Sequence, residues 1–108
     1  VREDGLSRRI MDFIQERVHE RYDLKALASA LGVTPQHVCA WFKSHNGRTV
    51  GAYVNEAKIR RAADYLRETD KRITEIASLL SFSSSQHLAT AFRATMGMSP
   101  RDWRRRMG

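Results

Sequence analysis

Residues 73–100 read ITEIASLLSFSSSQHLATAFRATMGMSP, and residues 24–50 read LKALASALGVTPQHVCAWFKSHNGRTV. Laid over each other at a shift of 49, Leu27-Ala28-Ser29 meets Ile76-Ala77-Ser78, Leu31 meets Leu80, Val33 meets Phe82 and Thr34 meets Ser83. One inserted residue then raises the shift to 50, where Gln36-His37-Val38 meets Gln86-His87-Leu88 and Phe42-Lys43 meets Phe92-Arg93. At the same shift Gly47 meets Gly97, Thr49 meets Ser99 and Tyr53 meets Trp103. Apolar positions coincide easily by chance. The joint recurrence of Gln-His, Phe-basic, Gly and a capping hydroxyl does not, so the chain carries two copies of one structural unit.

Within the first copy, Asp23 is placed to cap a short helix bearing Leu24, Leu27, Ala28 and Leu31, after which Gly32 offers the positive φ of a tight turn. Thr34 followed by Pro35 is a cap with proline at the first helical position, opening a helix through Val38, Trp41 and Phe42 that stops at Asn46 and Gly47. The second copy repeats the pattern: Ile73, Ile76, Ala77 and Leu80 on a short helix, a turn at Ser81 and Phe82, and Ser83 to Ser85 capping a helix with Leu88, Phe92 and Met96. A short helix, a tight turn and a second helix with polar side chains at its opening make a helix-turn-helix, whose second helix suits the major groove of a duplex.

Outward from the two copies, Leu6, Ile10, Phe13, Ile14 and Val18 recur at helical spacing and predict a first amphipathic helix ending near Tyr22. Between the copies Thr49 caps a longer helix ending near Thr69, with Tyr53, Val54, Ala57, Ile59, Ala62, Ala63 and Leu66 inward and Lys58, Arg60, Arg61 and Arg67 more exposed. Its length of about 30 Å suits recognition helices in adjacent major grooves, about 34 Å apart. Ser99 and Pro100 open a last helix with Trp103. The expected fold is all-α: about seven helices and no strand, with two helix-turn-helix subdomains joined by a linker helix. The subdomains are expected at 1–48 (motif about 24–46) and 70–108 (motif about 73–96), with the linker at 49–69.

The 108 residues carry a formal charge of +7 and a pI near 10.3, a field that attracts polyanions. Nucleic acid is the first candidate, and a protein or anionic surface gripped by basic helices is the alternative. Outward Gln, His, Ser and Thr argue against a membrane-lying helix, which needs a large apolar face. The single cysteine, Cys39, rules out an internal disulfide, and the four histidines lack metal-ligand spacing, so no metal or cofactor is expected. No Ser-His-Asp set, paired acids or Gly-rich phosphate loop appears, so no enzyme is expected. Cys39 reads as a groove-facing thiol rather than a nucleophile, and Trp41, Phe42, Phe92 and Trp103 as core aromatics. Starting at Val1, the sequence reads as a piece of a longer protein.

From about Leu6 to Arg106 these residues resemble the AraC/XylS family of bacterial regulators. The resemblance rests on Ile73-Thr74-Glu75-Ile76-Ala77, Phe82, Gln86-His87-Leu88, Phe92-Arg93, Gly97 and Ser99-Pro100 in the second half. In the first half it rests on Leu27-Ala28, Phe42-Lys43, Gly47, Tyr53, Ile59, Ala62 and Leu66. It implies sequence-specific binding of double-stranded promoter DNA by two recognition helices, and regulation of bacterial transcription initiation through RNA polymerase. It further implies a separate N-terminal effector or dimerisation domain and a cytoplasmic, nucleoid-associated location.

By position, the resemblance makes Gln36, His37, Cys39 and Ala40 base-facing on the first recognition helix, and Ser85, Gln86, Ala89 and Thr90 on the second. Gln pairs bidentately with adenine, whereas Ala can only touch a thymine methyl, so Gln36 and Gln86 are the main expected readers. Thr34, Lys43, Ser83, Ser84 and Arg93 suit phosphate, near helix starts or one step after the buried Phe. Arg104-Arg105-Arg106 is either a further phosphate contact or a solvated tail. Ser81 stands where the family commonly has Gly; at positive φ it would carry about 1 to 2 kcal/mol of strain.

Overall fold

The computed structural model describes residues 3–107, which form seven α-helices with no strand among them. They are α1 (Glu3–Glu16), α2 (Leu24–Leu31), α3 (Pro35–Asn46), α4 (Val50–Glu68), α5 (Ile73–Leu79), α6 (Ser85–Met96) and α7 (Pro100–Met107). The chain divides into two compact units, one of residues up to 17 together with 22–54, the other of 18–21 together with 55 onward. Positions 1–2 and 108 of the expected subdomains lie outside the described residues.

Local chemistry sets the helix starts. Asp23 accepts from the backbone N–H of Ala26 at 3.1 Å, Thr34 from that of His37 at 3.1 Å, Thr49 from that of Ala52 at 3.0 Å, and Ser99 from that of Asp102 at 3.1 Å. Each hydroxyl or carboxylate satisfies an amide that the first turn leaves without a partner. At the start of α5 the roles reverse: Glu75, three residues in, accepts from the backbone N–H of Arg72 at 3.1 Å.

The repeat is physical as well as textual. Gly32 and Ser81 both take left-handed backbone, φ 71° and 60°, and Val33 and Phe82 donate back to the carbonyls of Ala28 and Ala77 at 3.1 and 2.9 Å. Phe42 meets Tyr53 edge-on at 5.8 Å in one unit, and Phe92 meets Trp103 edge-on at 6.0 Å in the other. Each pair clamps the recognition helix to the helix that follows it. One register changes. The residue that caps α6 is Ser84, accepting from the N–H of His87 at 3.0 Å, so Ser84 and not Ser83 is the counterpart of Thr34. The inserted residue of the second copy is therefore Ser83.

In the first unit Ile10, Ile14, Leu27, Ala28, Val38, Phe42, Val50 and Val54 are buried. Asn46 closes that unit's polar edge, donating to the carbonyl of Phe42 and accepting from Ser7. The second unit's core is Ile59, Ala62, Ala63, Leu66, Ile76, Ala77, Leu80, Phe82, Leu88 and Phe92. Full burial of each large side chain contributes about 1.5 to 3 kcal/mol, which is what holds such short helices that propensity alone would leave frayed.

Three expectations change. The first helix ends at Glu16 rather than near Tyr22. Residues 18–21 lie outside the helix and belong to the second unit: Val18 is buried, and the carbonyls of His19 and Glu20 accept from Ser81 and Lys58. Lys58, expected on the exposed side of α4, is only 7% exposed. Its amine donates at 2.6 Å to the carbonyls of both Glu20 and Leu80. Burial pulls that amine below the ordinary lysine value, and the Glu20 carboxylate opposes the pull. Arg104, expected at a phosphate or in a solvated tail, instead donates to the carbonyls of Leu66 and Thr69 at 3.1 Å each, closing the C-terminal end of α4. Arg105 and Arg106 are exposed.

Candidate nucleic-acid interface

The second helix of each motif buries one edge and leaves the other to solvent. In α3 the buried side chains are Val38 and Phe42; in α6 they are Leu88 and Phe92. At about 100° per residue, the positions opposite them are Gln36, Ala40, Lys43 and Ser44 on α3 and Gln86, Thr90, Arg93 and Ala94 on α6. All eight are exposed. Both faces thus join a glutamine in the first turn to a cation two turns later.

The other sequence-derived residues sort around those faces. His37 and Cys39 are exposed on the flanks of the α3 face, and the Cys39 thiol is free. Burial, with a smaller contribution from Cys39, raises the Tyr22 phenol above its ordinary value. Ser85 and Ala89 are half-buried and lie toward the packed side of α6, so they present less to a ligand than Gln86 or Thr90. Thr34 and Ser84 spend their lone pairs on the helix caps, yet each hydroxyl keeps a proton to donate. Ser83 lies 3.1 Å from Nδ1 of His87.

Sequence reasoning passed over Ser44, although it stands four residues after Ala40 and eight after Gln36, a spacing that marks the same face. Trp41, expected in the core, is half-buried and stacks on His45 with ring centroids 4.1 Å apart. Nδ1 of His45 lies 2.9 Å from the carbonyl oxygen of Trp41, and the stacked pair forms a flat shoulder beside the α3 face. No group of three or more His, Cys, Asp or Glu suited to a metal ion occurs among the described residues, and no described helix is long and apolar enough to cross a membrane.

Residues 27–106 match the model of a family described as a helix-turn-helix domain. The HTH-type transcriptional activator RhaS of Salmonella schwarzengrund is 31% identical over 101 residues, covering 94% of this chain and 36% of that protein. The chain therefore spans about a third of the length of that relative. Among solved structures, a transcriptional regulator of the AraC-type DNA-binding domain-containing proteins from Chromobacterium violaceum has a TM-score of 0.92 at 23% identity. That match covers 97% of this chain and 94% of the other. The DNA-binding domain of AdpA, a global transcriptional factor solved in complex with a target DNA, has a TM-score of 0.84 at 23% identity over 93% of this chain and 90% of its own. At those identities the two structures share the all-helical fold.

Proposed function

Because the chain belongs to the AraC-type helix-turn-helix domain family, we propose that it binds double-stranded DNA at specific promoter sequences through α3 and α6, each laid in a major groove. In this reading it is the DNA-binding part of a longer bacterial regulator of transcription initiation. The observation that carries it is the duplicated exposed face, Gln36 with Lys43 and Gln86 with Arg93, built on two copies of one turn.

The chemistry divides between reading and gripping. A glutamine amide offers a donor and an acceptor together, which match N7 and the exocyclic amine of adenine in the major groove. Lys43 and Arg93 lie two turns further along, where the strand backbone borders the groove, and serve phosphate. The cap hydroxyls of Thr34 and Ser84 add neutral donors at the helix starts, where backbone N–H groups already favour an anion. Cys39 supplies shape and Ala40 and Thr90 methyl contacts, so the adenine-reading work falls on the two glutamines. The charge of +7 speeds encounter with any duplex and leaves discrimination to these side chains.

The longer protein would act in the bacterial cytoplasm, with RNA polymerase as partner and a further effector or dimerisation domain outside this chain. RhaS is named a transcriptional activator, and that role carries over here only as part of the proposal. Selection of bound sites from random duplex DNA tests the reading. An enriched, asymmetric sequence bound by a single chain about 10³-fold more tightly than scrambled duplex is expected. Retention of all duplexes and of anionic vesicles alike, with nothing enriched, would instead make this a general basic interaction surface.

A further inference from the structure

His37 and His87 are counterparts, each third in its recognition helix and each with its backbone N–H on a cap hydroxyl. Their side chains keep different company. The imidazole of His87 has Nδ1 3.1 Å from Oγ of Ser83 and stands edge-on to the Phe82 ring, 5.2 Å between centroids at 87°. Ser83 is the inserted residue of the second copy. In the first copy Val33 runs directly into the cap Thr34, so no residue corresponds to Ser83. The insertion therefore provides an anchor for one histidine and leaves its twin without the equivalent.

The anchor has a chemical consequence. A neutral imidazole carries one proton, on Nδ1 or on Nε2, and the partner of one nitrogen decides where it sits. A serine hydroxyl donating to Nδ1 keeps the proton on Nε2, at the far side of the ring. The ring stays exposed while being drawn back over the turn, about 100° around the helix from Gln86. That places it beside the base-facing positions, near the start of the 12-residue helix α6, where N–H groups and the helix dipole favour an anion.

We propose that Ser83 fixes His87 as the Nε2–H tautomer, and that this neutral N–H donates to a DNA backbone phosphate oxygen at the edge of the groove that α6 enters. The inference rests on the DNA-binding reading above and adds to it a contact peculiar to the second motif. His87 touches the nucleic acid; Ser83 acts through it as a positioning residue. Because the donor is uncharged, the contact releases no counterion, which separates it from Arg93.

Two measurements test this. In the free protein at about pH 8, where histidine side chains are generally neutral, the ¹⁵N shifts of the His87 ring should report a bare Nδ1 and a protonated Nε2. Ser83→Ala should raise the Nδ1–H population and Ser83→Thr should not. On the selected duplex, His87→Ala should weaken binding about 3- to 10-fold, the size of one net hydrogen bond, with the salt slope unchanged. Ser83→Ala should weaken it less, and should add nothing once His87 is alanine. An Nδ1–H tautomer in the parent protein would overturn the proposal. So would equal losses from Ser83→Ala in both backgrounds, a salt slope lowered by about one in His87→Ala, or selective binding indifferent to His87. The last outcome leaves the DNA-binding reading standing, whereas a parent chain with no duplex preference defeats both.

Discussion

The hydroxyl of Ser81 donates to the carbonyl oxygen of His19 at 2.7 Å, joining positions 62 apart in the chain. Ser81 is also the one non-glycine residue with positive φ among those described. Left-handed backbone costs a side chain about 1 to 2 kcal/mol, while a hydrogen bond of this kind returns about 0.5 to 1.5. The two effects are similar in size, which explains why a serine persists where the first copy has Gly32. Ser81→Gly removes strain and hydrogen bond together and should change unfolding free energy by less than about 0.5 kcal/mol. Ser81→Ala keeps the strain and loses the bond, and should destabilise by about 1 kcal/mol. Chemical denaturation of the two variants gives the ranking; a clearly stabilised glycine variant would mean the hydroxyl contributes nothing.

Lys58 should make stability rise with pH. Its folded-state value is depressed, so between that value and the ordinary 10.5 the unfolded chain holds a proton that the folded chain has released. In that window raising the pH favours folding. Tyr22 works oppositely, but only above its ordinary 10.0, because its folded value is raised. Denaturation midpoints should therefore climb in the parent chain as the pH is raised toward 10 and climb less in Lys58→Met. The variant should also lose about 2 to 3 kcal/mol at neutral pH, since the carbonyls of Glu20 and Leu80 are left without their donor.

Gln86 and Arg93 should separate base reading from phosphate grip. Gln86→Ala is expected to cost about 1 to 3 kcal/mol on the selected duplex and little on a scrambled one. Arg93→Ala should weaken both by similar factors and lower the salt slope by about one. Titrations of both duplexes at several salt concentrations check the pair. An equal loss on both duplexes for Gln86→Ala, or an altered base preference for Arg93→Ala, would exchange their roles.

Within Arg104-Arg105-Arg106 only the first should matter to folding. Its guanidinium spans two carbonyls at the end of α4, so Arg104→Ala should cost about 1 to 2 kcal/mol in thermal or chemical unfolding. Arg105→Ala and Arg106→Ala should stay within about 0.5. Arg104→Lys should recover little, because an ammonium on a flexible stem lacks the planar fork that reaches both oxygens. Equal effects from all three would return the triplet to a solvated tail.

What could be read from the sequence was what is decided nearby. Asp23, Thr34, Thr49 and Ser99 cap helices within three residues of themselves, and the correspondence of Phe42 with Phe92 and of Tyr53 with Trp103 follows from one repeat laid on another. The misses are decided at a distance. Nothing in Glu16-Arg17-Val18-His19 marks a helix stop, and the partners of the His19 and Glu20 carbonyls, Ser81 and Lys58, lie far away in the sequence. Lys58 looked exposed by residue type, yet it lies four residues from both Val54 and Ala62, and helical phase alone puts it on the buried side. The cap of α6 stays open among Ser83, Ser84 and Ser85 in the sequence because the three are alike, and only the bond that Ser84 accepts from the backbone N–H of His87 singles it out. For the interface, the periodicity gives the faces of α3 and α6, while exposure demotes Ser85 and Ala89 and adds Ser44.

Residues 18–21 belong to the second unit although both of their neighbours belong to the first, and α4 passes from one unit to the other without a break. Counted along the chain, the path changes unit three times rather than once. The two copies of the motif thus sit in units whose stretches alternate along the chain, and no single cut separates those units. Exchanging the whole stretch up to residue 54 for that of a relative would carry away four residues that belong to the second unit. Recombination, natural or engineered, can be expected to respect the pair as one heritable part.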